Sequence, residues 1–465
     1  MNEKIDSYFE KEKENLLSDL GSLIRIPSVR GEASEGAPFG EGPKKALEKM
    51  LTIAKNYGFS VRNVDSYAGE ISFDGGDAKL AMLGHLDVVP EGDGWTVPPY
   101  EMTEKDGKIY GRGTSDDKGP VIAALYAMKC VRELGVKLAS DVRLIVGTSE
   151  ETGGNDIEYY TEHRGMPPMV FTPDSTFPVT NVERGHFSKH FTSEIQSDHS
   201  DCGKVASFNG GFVINAVPNK AEAVLSGFEY DIVSALADKA HSETGVDFTL
   251  TEDGGNITVL AVGSGAHAST PELGNNPITA LISLIAMLDS SSPTVKPFKV
   301  LAEFFPHGKT RGEGMKVSMK DEVSGELTMT LDMLNFDGTH LDGAFDSRVP
   351  LCANEDNLAF KVRDKLANVG FTLESTFITP IHYVDENSKF IKKLLAAYEE
   401  VSGRKGYCEA IGGGTYVHEI DGGVAFGAIM PDVDTNMHGA DEFMPIDDLI
   451  TAAKIFTKAI ISICG

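Results

Sequence analysis

The chain has 465 residues, 41% hydrophobic and 24% charged, the proportions of an ordinary folded protein, which exclude a disordered, collagen-like or disulfide-framework chain. Its 42 Lys and Arg against 70 Asp and Glu leave a formal net charge of −28, a balance that repels phosphate backbones and anionic lipids and makes nucleic acid and membrane surfaces poor partners. Most of these carboxylates read as solvated surface, and the sharper reading is that a few of them converge on cations.

The opening MNEKIDSYFEKEKENLLSDL is charged and periodic, so it predicts a helix over residues 5–24 and not an apolar signal sequence. Residues 43–57 repeat the helical spacing and close on Gly58, a residue favoured just past a helix end. Short apolar runs follow, KLAMLGHLDVVP, DVRLIVGTSEE and PMVFTPDS, each reading as a buried strand that ends in polar or acidic residues, with a helix over 119–134 between the first two. Strand, helix and strand at this spacing predict an α/β unit with a mixed, largely parallel sheet, whose ligands would collect beyond the carboxyl ends of the strands.

From about residue 185 the texture changes to alternating segments such as AEAVLSGFEY, NITVLAVGS and GELTMTLDMLNF, with helices near 231–241 and 276–288. That pattern predicts a second, α+β unit with antiparallel strands. Past about 382 a helix over 387–401, a strand over 423–430 and an amphipathic helix from Ile446 resume the first style. The expected organisation is one α/β domain, split into 1–184 and 382–465 by an inserted α+β domain at 185–381. No run reaches the roughly 18 apolar residues of a membrane span. Five cysteines, odd in number and without a CxxC pair, fit a reducing compartment, so a cytoplasmic protein is expected.

Chemistry concentrates where the strands end. In GHLDVVP, His85 and Asp87 sit two apart and point to the same side, so Asp87 can hold one ring nitrogen while the other binds metal. IYGRGTSDDKGP carries Ser115, Asp116 and Asp117 on a glycine-rich loop just before a helix, where a plain cap is the bland reading. SEETGG puts Glu150 and Glu151 side by side, a pair that repels unless a cation or proton compensates. TPDS adds Asp174 and NMHGADE adds His438. Singly each has an ordinary structural explanation. Together, two histidines and several carboxylates at strand ends suit zinc, manganese or cobalt.

HLDVVP, GRGTSDDKGP, TSEETGG, TPDS, NAVP, GAHASTPELGNNP, GGGTY and MHGADE stand in the order found in the M20 metallopeptidases, and the chain resembles most the PepV-type, carnosinase-like dipeptidases of that family over nearly its whole length. The resemblance implies a zinc-peptidase-type catalytic domain with an inserted lid. It implies one divalent ion on His85, Asp116 and Asp174 and a second on Asp116, Glu151 and His438, with Asp116 bridging. Zinc is the first choice, with manganese or cobalt also admitted. By the same resemblance Asp87 orients His85, and Glu150 is the general base that takes a water proton and passes it to the leaving amine. From the lid, His267 would stabilise the oxyanion, while Asn215 and Arg348 would hold the carboxylate of a dipeptide.

Asp at position 174 is the dipeptidase choice, since relatives that act on acyl-amino acids usually carry Glu there. The implied substrate is a dipeptide with a free N-terminus, of broad, Xaa-His or β-alanyl type. An amidohydrolase of N-acyl amino acids and an inactive peptide-binding relative are the alternatives. The long insertion implies a self-sufficient monomer. One departure concerns specificity: relatives often carry a basic residue soon after GGGTY, where this chain has Val417 and His418.

Overall fold

Apolar residues three and four apart turn the first segment into helix Asn2–Ile24, with Ile5, Phe9, Leu16, Leu20 and Ile24 buried along one face. The structure, a computed structural model, describes residues 1–196 and 202–465. The chain forms two compact units, one of Met1–Val182, His382–Glu409 and Gly414–Gly465, the other of Glu183–Ile381 and Ala410–Gly413.

In the first unit, helix Glu41–Asn56 begins two residues ahead of Pro43, which falls in the first turn, where a missing N–H loses no intrahelical bond. Six of the sheet's nine strands run in the order Ser60–Val64, Ala68–Ser72, Asp141–Gly147, Ala78–His85, Met169–Thr172, Val424–Ala425. Its centre is parallel: Ala78–His85 lies between Asp141–Gly147 and Met169–Thr172, and Val424–Ala425 continues the set. The hairpin of Ser60–Val64 and Ala68–Ser72 adds antiparallel strands at the edge, making the sheet mixed. Helices Lys118–Glu133 and Ile446–Cys464 pack on each other and on the central strands. Burial on both faces is why Leu80, Ala81, Met82 and Leu83 are all fully buried and read as an unbroken apolar run.

The single strand expected over 423–430 is split into Val424–Ala425 and Ala428–Ile429, which pair with Met169–Thr172 and Ser175–Thr176 respectively. The break follows its neighbour, which is itself interrupted at Pro173 and Asp174. His85, Gly147 and Thr172 thus end three adjacent parallel strands at one edge, and the residues that follow them carry the acidic motifs.

The second unit is an eight-stranded sheet in the order Asp247–Asp253, Asn256–Val262, Lys220–Ser226, Lys204–Gly210, Thr330–Phe336, His340–Asp346, Lys189–Glu194, Thr372–Leu373. Its ladders are antiparallel. The period-2 pattern is visible in Asn256–Val262, where Ile257, Val259 and Ala261 are buried and their neighbours are not. Helix Pro277–Ala286, capped by the Asn276 side chain accepting from the Ile278 and Thr279 N–H groups, buries most of its residues in this unit's core. Among the described residues no helix is long and apolar enough to cross a membrane, and Cys130, Cys352, Cys408 and Cys464 are free thiols.

Candidate metal centre

Strand Ala78–His85 delivers a fully buried His85 to the carboxyl edge of the sheet. The main-chain N–H of His85 donates to Asp117 Oδ2 at 3.0 Å, an approach that needs Gly84, because a Cβ there would lie 2.3 Å from the same oxygen. Nδ1 of His85 lies 3.0 Å from the main-chain carbonyl of Asp87 and 3.5 Å from its carboxylate. The shorter orienting contact on the ring is therefore backbone. The Asp87 carboxylate instead accepts from the N–H groups of Glu150 and Glu151, each at 3.1 Å.

Buried Asp156 does the same one step earlier, accepting from Thr148 N and Ser149 N at 2.7 and 2.8 Å and from the Tyr416 hydroxyl. Four successive N–H groups, 148 to 151, are thus gripped by two buried carboxylates, which fixes the turn that presents the glutamate pair.

Two groups of donors form around Asp116. His85, Asp116 and Asp174 offer ligand atoms all within 4.8 Å of one another, and Asp116, Glu151 and His438 do likewise. Nε2 of His85 lies 3.0 Å from Asp116 Oδ1 and 3.5 Å from Asp174 Oδ2, and Nε2 of His438 lies 2.8 Å from Asp116 Oδ2 and 3.2 Å from Glu151. Each oxygen of Asp116 therefore serves a different group.

Burial and negative neighbours set the electrostatics. Burial comes first in pushing Glu150 well above the usual carboxylate range, with Asp174, Asp116 and Glu151 adding to it. Asp174 is raised by burial and then by Asp116. Hydrogen bonding to Asp116 and Glu151 raises His438 to about 10. Several carboxylates crowded in a buried site are unfavourable without positive charge. Mixed imidazole and carboxylate donors in two groups sharing one carboxylate fit two borderline divalent ions such as zinc, manganese or cobalt.

Asn215, His267 and Arg348 all lie in the second unit, where Asn215 and His267 adjoin. Ala216–Val217 pairs with Ala266–His267, and the Ala268 N–H donates to the Asn215 carbonyl, so Asn215 and exposed His267 adjoin. Arg348 is buried and held by Asp346 through Nε and Nη2 at 2.8 and 3.1 Å; its Nη1 donates to the Gly412 carbonyl.

The profile of peptidase family M20/M25/M40 matches residues 81–462. The chain belongs to this family. A β-Ala-Xaa dipeptidase of Lactobacillus delbrueckii subsp. lactis is 34% identical over 460 residues, covering 97% of this chain and 96% of that protein. Human carnosine dipeptidase 1 shares the fold with a TM-score of 0.62 at 17% identity, over 99% of this chain and 98% of that one. Aminopeptidase PepT of Bacillus cereus does so with a TM-score of 0.56 at 14% identity, over 97% and 98%. The M20 resemblance read from the sequence is thus borne out.

In this M20 peptidase, sequence reasoning passed over Arg112 and Glu442, although both lie inside the motifs GRGTSDDKGP and MHGADE. Fully buried Glu442 accepts from the N–H groups of Gly113, Ser115 and Asp116 and from Arg112 Nη1, the last at 2.8 Å. Nη2 of Arg112 donates to the carbonyls of His438 and Gly439 at 3.3 and 3.1 Å. This ion pair clamps the two segments that present Asp116 and His438. A cavity of about 560 Å³ opens beside Glu150, lined also by Asp156, Glu158, Tyr416, His418 and Glu419. Of the two departing residues, Val417 is buried in the core and His418 lines this cavity.

Proposed function

We propose that this M20 peptidase is a two-metal dipeptidase that hydrolyses dipeptides with a free N-terminus. The observation that carries the reading is Asp116, whose two oxygens each face a separate donor group. His85, Asp116 and Asp174 would hold one ion, and Asp116, Glu151 and His438 the other. Zinc is the first choice, with manganese or cobalt as alternatives. Two such ions, when bound, supply an acidified water and a polarised scissile carbonyl.

Glu150 takes the proton of the attacking water and returns it to the leaving amine. Asp87 acts on Glu150 and Glu151 through their N–H groups and on His85 through its carbonyl, so it is a positioning residue. His267 donates to the developing oxyanion, while Asn215 and Arg348 bind the substrate carboxylate. Similarity to the β-Ala-Xaa dipeptidase supports a dipeptide substrate, β-alanyl types included. We assign the catalytic domain to 1–184 and 382–465 and the lid to 185–381, in a cytoplasmic monomer.

The test is a panel of α- and β-alanyl dipeptides and N-acyl amino acids, run with zinc, manganese and cobalt added to metal-free protein. Acylase activity without dipeptidase activity refutes the reading. Glu150→Gln is expected to lower kcat by several orders of magnitude while metal stoichiometry, measured by elemental analysis, stays at two. Full activity in that variant removes Glu150 from the mechanism.

A further inference from the structure

Among the described residues, Asp332 alone has both carboxylate oxygens buried without a hydrogen-bond partner, and its side chain is sealed from solvent. A carboxyl left in that state is costly when charged and far less so when neutral. It stands outside both groups of metal donors.

Its place comes from a break in the ladder. Across strands Thr330–Phe336 and His340–Asp346, Thr330 faces Asp346, Leu331 faces Phe345 and Met333 already faces Ala344, so Asp332 is the extra residue of a bulge. Gly211 permits the bulge, since a Cβ there would lie 1.8 Å from the Asp332 carbonyl oxygen.

The charged groups that act on Asp332 are Asp346 and Arg348, and these two are already committed to each other. Arg348 Nε and Nη2 donate to the two oxygens of Asp346 at 2.8 and 3.1 Å, and the Ser188 hydroxyl donates to Asp346 Oδ2 at 2.8 Å. The other elements against the Asp332 strand add no charge beside it. Helix Pro277–Ala286 and the pair Ala216–Val217 carry no ionisable side chain. Lys204 begins its strand opposite Ser226, whereas Phe208–Gly210 is the part that meets the Asp332 strand; Asp342 faces Asn335, and His340 lies beyond it.

Asp346 and Arg348 cancel, so an ionised Asp332 would be a second carboxylate competing for one guanidinium in a dry interior. Burial, and then the Asp346 carboxylate, push Asp332 well above the usual carboxylate range; Thr330, the Asp346 N–H and Arg348 pull the other way without reversing it.

We infer that Asp332 is a positioning residue that carries its proton in the working enzyme: neutral, it leaves Arg348 to Asp346 and the Gly412 carbonyl, and ionised, it draws the guanidinium away from both. As pH rises the proton passes to solvent, and Arg348 loses the orientation that Asp346 sets. For its effect on catalysis the inference rests on the dipeptidase reading; for the state of Asp332 it does not.

The experiment compares metal-loaded wild type with Asp332→Asn, an isosteric stand-in for the neutral acid. The infrared difference spectrum at neutral pH should show, in wild type only, the carbonyl stretch of a protonated carboxylic acid. A carboxyl whose proton affinity rises on folding costs stability progressively above its ordinary pKa, so the calorimetric melting temperature of the second unit should shift in favour of Asp332→Asn between about pH 5 and about pH 9. KM for L-alanyl-L-alanine should match in the two proteins at about pH 7 and be several-fold higher in wild type by about pH 10. A missing acid band, a melting gap that stays constant or moves toward wild type, or an alkaline KM equal in both proteins overturns the inference. So does a wild-type melting temperature raised selectively by sodium or potassium chloride, which would put a bound cation where the proton is assigned. If wild type cleaves no dipeptide, the dipeptidase reading fails on its own, and the infrared and melting measurements decide for Asp332.

Discussion

Glu442 touches no metal-ligand side chain, yet it sets where two of them stand. It is fully buried and accepts from the loop that carries Asp116, while its partner Arg112 holds the carbonyl of His438. Removing one member of a buried pair leaves the other charge uncompensated, a loss of about 3–5 kcal/mol. Support of this kind behind a ligand is worth about 10- to 100-fold in metal affinity. Glu442→Ala is therefore expected to lower the unfolding free energy, measured in guanidinium, by about 3–5 kcal/mol and to weaken metal binding, read by competition with a chromophoric chelator. An unchanged affinity would make the pair a stability device only. Neither residue was legible in the sequence, because they lie 330 positions apart and act through main-chain hydrogen bonds. His85, Glu150, Glu151 and Asp174 were legible because a polar or charged residue closing an apolar run is conspicuous, whereas Asp116 and His438, both on loops, took their roles from the resemblance of their motifs to the family.

Among elements, the turn that presents Glu150 and Glu151 depends on helix Asp156–Arg164, whose first residue grips Thr148 N and Ser149 N. The far end of that helix is tied to the sheet by buried Glu70 on strand Ala68–Ser72, which accepts from Tyr160 and Arg164 and faces Arg143 at 3.7 Å. Burial alone would raise Glu70, but hydrogen bonds from Arg164 and Tyr160 outweigh it and hold its pKa below 4.5. A carboxylate lowered in the folded state stabilises above its unfolded pKa and loses that contribution as pH falls through the folded one. Wild type should thus exceed Glu70→Gln in stability at pH 7, and the gap should close as pH drops below 4.5. Urea unfolding at a series of pH values checks this; a gap that widens on acidification contradicts it. The strand split at Ala425 and Ala428 mirrors the interruption of the neighbouring strand, and Gly427, with φ of +77°, lets the chain make it.

At the scale of the molecule, each unit has its own hydrophobic core, and the carboxylate cluster belongs to the first alone. Ions that bind only the folded first unit stabilise it by mass action, about 2.7 kcal/mol at a hundredfold excess over Kd. Chelation returns the mutual repulsion of the buried carboxylates, so metal removal should lower the melting temperature of the first unit and leave the second near its original value. The chain supplies its own reporter. Its single tryptophan, Trp95, donates to the Glu91 carbonyl at 2.7 Å and carries the Arg112 guanidinium 5.3 Å from its ring centre, beside the pair that positions Asp116 and His438. Trp95 fluorescence should therefore follow the metal-dependent transition only, while calorimetry shows both. Adding zinc back should move the fluorescence midpoint upward and draw the two calorimetric transitions together. If chelator shifts both transitions equally and the fluorescence midpoint tracks neither selectively, the metal centre governs the stability of the whole chain and not that of the first unit.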